Sequence, residues 1–158
     1  MADPTTTSRT TPAGIALENG HPIKVAFSAD PDISLWEIAT TPPEVDGGEG
    51  IPITTAWNTD WRTFAPQALK TLSPFTVRVA YDPDAYNQVA AIINVKGMVT
   101  ISFPDGSTLD FFGYAQKFSP QETQEGNRPE ANLTIQPTNW DNVNNVESQP
   151  VMTEVAGT

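Results

Sequence analysis

The stretch Val99-Thr100-Ile101-Ser102-Phe103-Pro104-Asp105-Gly106-Ser107-Thr108-Leu109-Asp110-Phe111 decides the fold class. Val99, Ile101 and Phe103 alternate with Thr100 and Ser102, a period of two that a helix cannot satisfy. Pro104 to Ser107 carries the turn chemistry, and Leu109 and Phe111 then return with Thr108 and Asp110 opposite. Two such runs about a turn make an antiparallel hairpin with one buried face. Its other face is polar but almost uncharged. A later strand, with Leu133 and Ile135 inward, extends that face through Asn132, Thr134 and Gln136.

Outward from the hairpin the same signals repeat. Phe75, Val77, Val79 and Tyr81 alternate with Thr76, Arg78 and Ala80, which predicts a strand. Asp82-Pro83-Asp84 opens a helix, with Asp82 as cap, Pro83 at the first helical position and Asp84 favouring the dipole. Tyr86, Val89, Ala90 and Ile93 share the expected apolar face, and the helix should end near Asn94. Further strands are expected at Ile23 to Phe27, Leu35 to Ile38, Ile51 to Trp57 and Gly113 to Phe118, with a polar loop from Gln121 to Arg128. Ile15 to Leu17 followed by Asn19-Gly20 reads as another hairpin.

Thr40 to Gly50 contains prolines that remove donors and glycines that add backbone entropy, so a long exposed loop without regular structure is expected there. Residues 1–12 read as a flexible arm, 13–140 as the folded domain and 141–158 as an extended arm. The fold expected is mainly β: a twisted β-sandwich or open barrel with one flanking α-helix.

Composition narrows the function. The chain has 158 residues, enough for one domain with a proper core, and no cysteine. Disulfide scaffolds, thiolate metal sites and cysteine nucleophiles are therefore excluded. No apolar run approaches the length of a membrane span, and Met1 to Ser8 does not read as a secretory leader. The net charge is -11, with seven acids and no Lys or Arg between Lys24 and Arg62. Tight nucleic-acid binding needs a basic patch to release phosphate counterions, and the sequence offers none.

Enzyme signatures are missing. His21 is the sole histidine, and no GxSxG, HExxH, Walker A or GxGxxG pattern occurs, so no catalytic residue, metal or cofactor is expected. Asp30-Pro31-Asp32 and Asp82-Pro83-Asp84 resemble pieces of calcium loops but lack the remaining ligands, and read as turns and caps. Trp36, Trp57, Trp61 and Trp140 share no spacing; core or interface packing is preferred to a sugar-binding cleft. Asn132-Leu133-Thr134 matches a glycosylation sequon but falls inside an expected strand.

From about Ile51 to Trp140 the chain resembles the tail tube (major tail) proteins of long-tailed, non-contractile bacteriophages. The resemblance is carried by Arg62-Thr63-Phe64-Ala65-Pro66-Gln67-Ala68-Leu69, by Phe75 to Tyr81 with the capped helix, and by Ile101 to Tyr114. Glu125-Gly126-Asn127-Arg128-Pro129 and Leu133-Thr134-Ile135-Gln136-Pro137-Thr138 follow in the family's order and spacing. The resemblance implies a non-enzymatic structural subunit that forms stacked hexameric rings, assembled in the bacterial host cytoplasm and residing in the virion tail. Its implied partners are further copies of itself, the tape measure protein, and tail terminator and tail tip proteins. It further implies that double-stranded DNA passes the channel without tight binding and that no membrane is involved.

On that reading the polar face, Thr100, Ser102, Thr108, Asp110, Asn132, Thr134 and Gln136, is the candidate channel wall, expected to be neutral or negative. The loop with Glu44, Val45, Asp46 and Glu49 would bridge rings, against Lys24, Arg62, Lys70 or Arg78 of a neighbour. A tail terminator or baseplate component of related fold, and a carbohydrate-binding β-sandwich, are the alternatives.

Overall fold

The computed structural model describes residues 23–33, 35–81 and 83–154. The expected hairpin at Asn19-Gly20, His21, the arm over residues 1–12 and the capping Asp82 lie outside that set.

The main sheet has seven strands, in the order β1 (Lys24–Phe27), β8 (Gly97–Ser102), β9 (Thr108–Pro120), β10 (Glu130–Pro137), β7 (Phe75–Ala80) and β2 (Glu37–Thr40), with β13 (Val151–Thr153) also on β9. All its pairings are antiparallel. The fold is mainly β with one described helix, as expected, and the deciding hairpin is β8–β9, with Val99 opposite Phe111 and Ile101 opposite Leu109. Its turn closes through Phe103 and Ser107, with Gly106 at φ 90, a conformation only glycine adopts freely. The Ser107 hydroxyl and backbone N–H both donate to Asp105, holding that carboxyl below its ordinary 3.8.

The strand expected at Gly113 to Phe118 is the continuation of β9, which runs thirteen residues without a break. β8 pairs with its first half, β10 with its second half on the opposite edge. A Cβ at Gly113 would lie 2.8 Å from the Gln136 carbonyl, so only glycine lets the two backbones approach there.

Val77, Val79, Ile101, Ala131, Leu133 and Ile135 are completely buried, and each alternates with a more exposed neighbour, as period-two patterning requires. Phe75 meets Phe111 edge-on, ring centroids 5.6 Å apart, although β10 lies between their strands. The sheet must therefore curl. Its ends meet: Val25 of β1 donates its N–H to Glu37 Oε1 of β2 at 3.0 Å, across the two extremes of the strand order. The result is an open barrel whose seam is bridged by a side chain rather than a ladder.

That bridge is testable. A hydrogen bond to a charged group contributes about 1.5–3 kcal/mol. Glu37→Ala should lower stability by that order in urea denaturation and speed exchange of the Val25 amide, while Glu37→Gln should recover most of the loss. Unchanged stability in Glu37→Ala would mean that apolar packing alone holds the seam.

Helix α1 (Pro83–Ile92) begins on Pro83 as expected, but its buried face is Ala85, Val89 and Ile92. The expected face of Tyr86, Val89, Ala90 and Ile93 is rotated by about one position, because Tyr86 turns outward to meet Tyr81 and Phe118 in an aromatic cluster. Asn94 adopts a left-handed φ of 64 and donates its N–H to the Ala115 carbonyl, tying the helix end to β9. The strand expected at Leu35 to Ile38 is displaced to Glu37–Thr40, since Leu35 is buried in the core before pairing begins.

The C-terminal boundary expected at residue 140 also moves. Trp140–Asp141 (β11) pairs with Val146–Glu147 (β12) in a short hairpin, and β13 then re-enters the main sheet against Thr108, Leu109 and Asp110. Asp141 accepts backbone N–H bonds from Asn144 and Val143, which hold its carboxyl below its ordinary 3.8.

Candidate functional site

Between β2 and β7 the chain leaves the sheet at Thr40 and returns at Phe75. The expectation of an irregular Thr40–Gly50 loop is corrected here. Val45–Asp46 (β3) pairs with Thr71–Leu72 (β6), and Ile51–Pro52 (β4) with Phe64–Ala65 (β5), so residues 41–74 form one antiparallel arm. The strand expected from Ile51 to Trp57 is accordingly only two residues long. Between the ladders, Gly48 N–H bonds Asp46 at 2.9 Å, and Gln67 reaches across to the Glu49 carbonyl at 3.0 Å. The φ of 83 at Gly48 favours glycine, and the Gln67 carboxamide occupies the space that a Cβ would take. Proline and glycine excluded a continuous strand, but not two short ladders joined by side-chain bonds.

The arm tip is a polar knot on Asn58. Its carboxamide accepts the Thr55 N–H at 2.9 Å and donates to the Trp61 carbonyl at 2.9 Å, while Ile53 N–H bonds the Thr63 carbonyl at 3.0 Å. This knot presents two indoles to solvent: Trp57 is 93% exposed and Trp61 83%. Val45, Ile51, Ile53, Phe64 and Leu69 are exposed along the arm as well, and Leu72 at the root is the arm residue that enters the core. Core packing for the tryptophans is thus overturned, since Trp36 and Trp140 are also exposed. This many exposed apolar side chains on an element outside the core make the arm the candidate contact surface of the described residues. No signal in the sequence period revealed it, because the arm is solvated on both faces.

At the arm root lies a cleft of about 590 Å³, walled by Leu69, Lys70 and Leu72 on one side and by Asn139, Trp140, Glu147 and Pro150 of the C-terminal hairpin on the other.

The structure places all seven residues of the expected polar face, each half-buried, on the side of the sheet away from the core, in two groups: Thr100, Ser102, Thr108 and Asp110 at the β8–β9 hairpin, and Asn132, Thr134 and Gln136 on β10 along the far half of β9. Thr100 sits opposite Asp110, Ser102 opposite Thr108 and Gln136 opposite Tyr114. Asp110 accepts the Thr100 hydroxyl at 2.6 Å. The face is not as free of charge as expected, however. Register places Lys24 beside Ser102, Lys117 beside Thr134 and Arg78 beside Asn132. Of these, Arg78 pairs with Glu130 at 3.5 Å, an acid it shares with Arg128 at 3.3 Å. Lys117 reaches this face through a bulge between Thr134 and Ile135 that shifts the alternation of β9 by one residue.

Among the proposed bridging groups, Glu44, Asp46 and Glu49 stand exposed on the arm, as do Arg62 and Lys70, and Lys24 is exposed on β1. None of these six makes an ion pair with a described residue. Asp30 Oδ1 accepts the Asp32 N–H at 3.2 Å, a turn of the expected kind, and Leu133 of the sequon is buried within β10.

A known assembly shares this fold. The chain is similar to one in the cryo-EM structure of the anti-feeding prophage (AFP) baseplate, 6-fold symmetrised, with TM-score 0.63 and 10% identity over 94% of this chain and 99% of that one. No protein-family model matches the sequence, and no curated protein matches it either.

Proposed function

We propose that this protein is a structural subunit of a phage-type tail, whose copies form six-fold rings that stack into the tube through which DNA is ejected. The observation that carries the reading is the fold likeness to a baseplate chain over nearly the whole of both chains. It supports a tail-associated role independently of the sequence resemblance to tail tube proteins. The exposed apolar arm fits such a role, because self-assembly gives its surface something to cover.

In the proposed tube the arm joins subunits, and the patch of Thr100, Ser102, Thr108, Asp110, Asn132, Thr134 and Gln136 faces the axis. Uncharged hydroxyl and amide side chains release no counterions from phosphate and Asp110 repels it, which leaves Lys24 and Lys117 as the cations on this face without an ion pair among the described residues. The tape measure protein would fill the channel before DNA, with terminator and tip proteins at the ends. Assembly takes place in the host cytoplasm, and the product belongs to the virion tail. No catalytic step is assigned.

Negative-stain electron microscopy of the concentrated protein, alone and seeded with tail tips, tests this reading. Six-fold rings stacked into hollow tubes are expected. A second reading follows from the neighbour's own assembly: a baseplate subunit would stop at a single ring. Inert monomers under every condition would sink both.

A further inference from the structure

We propose that the tryptophan tip of the arm inserts into the cleft at the arm root of a second copy of this chain. The proposal rests on the tail-subunit reading and adds to it which surfaces meet. Tip and cleft cannot satisfy each other within one chain. No tip residue lines the cleft, and the β4–β5 ladder stands between the tip and the cleft-lining stretch that begins at Ala68.

Three features match the two surfaces. The first is size: the cleft of about 590 Å³ is walled by Leu69, Leu72, Trp140 and Pro150, an apolar seat for indole rings. Each buried tryptophan covers roughly 150–250 Å², so the pair supplies a substantial part of a stable interface of about 800 Å² per partner. The second is charge. Lys70 and Glu147 border the cleft, and Asp60 and Arg62 flank Trp61, so opposite charges can meet at both rims. The third is an orphaned acceptor: Asn139 Oδ1, on a cleft-lining residue, is buried without a hydrogen-bond partner among the described residues. An indole N–H is a donor only and is the kind of partner this acceptor lacks; because Oδ1 has no accessible surface in the free chain, the Asn139 side chain has to turn toward the cleft to meet it. A tip-to-cleft contact is head-to-tail, so it either closes into a ring or propagates as a filament.

The test uses the full chain with a benzophenone side chain in place of Leu69, irradiated as a concentrated mixture of light and heavy-isotope copies. Mass spectrometry should find links from position 69 to the Trp57–Trp61 segment of another copy. Links to residues 1–22 of the same chain, or to a different segment of another copy, overturn the tip-to-cleft contact and leave the tail-subunit reading standing. Absence of any link between copies likewise overturns the contact, and the tail-subunit reading then stands or falls by the rings seen in negative stain. In parallel, Trp57→Ala with Trp61→Ala should raise the concentration needed for assembly about 30-fold, the loss of an anchoring aromatic, with an unchanged urea midpoint. Assembly at the parent concentration overturns the proposal.

Discussion

A chain in which residues 47–70 are replaced by Asn-Gly is expected to fold as stably as the parent and to form no rings or tubes. The design follows from the register. Asp46 and Thr71 are direct partners, so a two-residue Asn-Gly turn closes the ladder that Val45 and Leu72 begin. Nothing removed is buried, whereas Leu72, which enters the core, is kept. Shortening the loop should if anything lower its closure entropy slightly. The melting temperature is therefore expected to stay within a few degrees of the parent's, while sedimentation shows monomers at every concentration at which the parent assembles. A shortened chain that still builds normal tubes would make the arm decoration and move the joining surface to the sheet edges. A narrower deletion of Val45 to Glu49 would be a poorer test, because it removes β3 and leaves Leu72 without its ladder.

Phe111→Ala should have the largest effect on stability. Phe111 is among the largest completely enclosed side chains, and its ring packs edge-on against Phe75 where the sheet curls over. Truncating a buried phenylalanine typically removes about 3–5 kcal/mol. Domains commonly have only 5–15 kcal/mol in total. Urea denaturation should show a midpoint shifted far down at nearly constant slope. A double-mutant cycle with Phe75→Ala should give a coupling of about 0.5–1.5 kcal/mol for the aromatic pair. A loss below 1 kcal/mol would show that the two halves of the curled sheet do not depend on this contact.

These two changes separate what the amino-acid order determines from what folding in three dimensions decides. The strands Phe75–Ala80, Gly97–Ser102 and Glu130–Pro137, and β9 as far as Ala115, alternate legibly, because each has one face in the core and the other outside. Pro83 and Asp84 likewise mark the helix start, because helix initiation is a local matter. The seven polar residues of the outer face follow from the same alternation.

Other features depend on partners distant in sequence and leave no periodic trace. The arm's ladders are exposed on both sides, so burial imposes no alternation on Val45, Ile51 or Phe64. The bulge at Thr134/Ile135 brings Lys117 rather than Gln116 onto the polar face, a one-residue shift that only the pairing of β9 with β10 determines. The rotation of the helix face depends on where Tyr86 finds Tyr81 and Phe118. The meeting of Val25 with Glu37 across the seam needs six strands laid side by side and curled before the two groups come within 3.0 Å. Alternation along a strand is a property of one segment, and the amino-acid order alone determines it; closure, register and the cleft between arm and C-terminal hairpin arise where separate segments meet, so only the tertiary structure decides them.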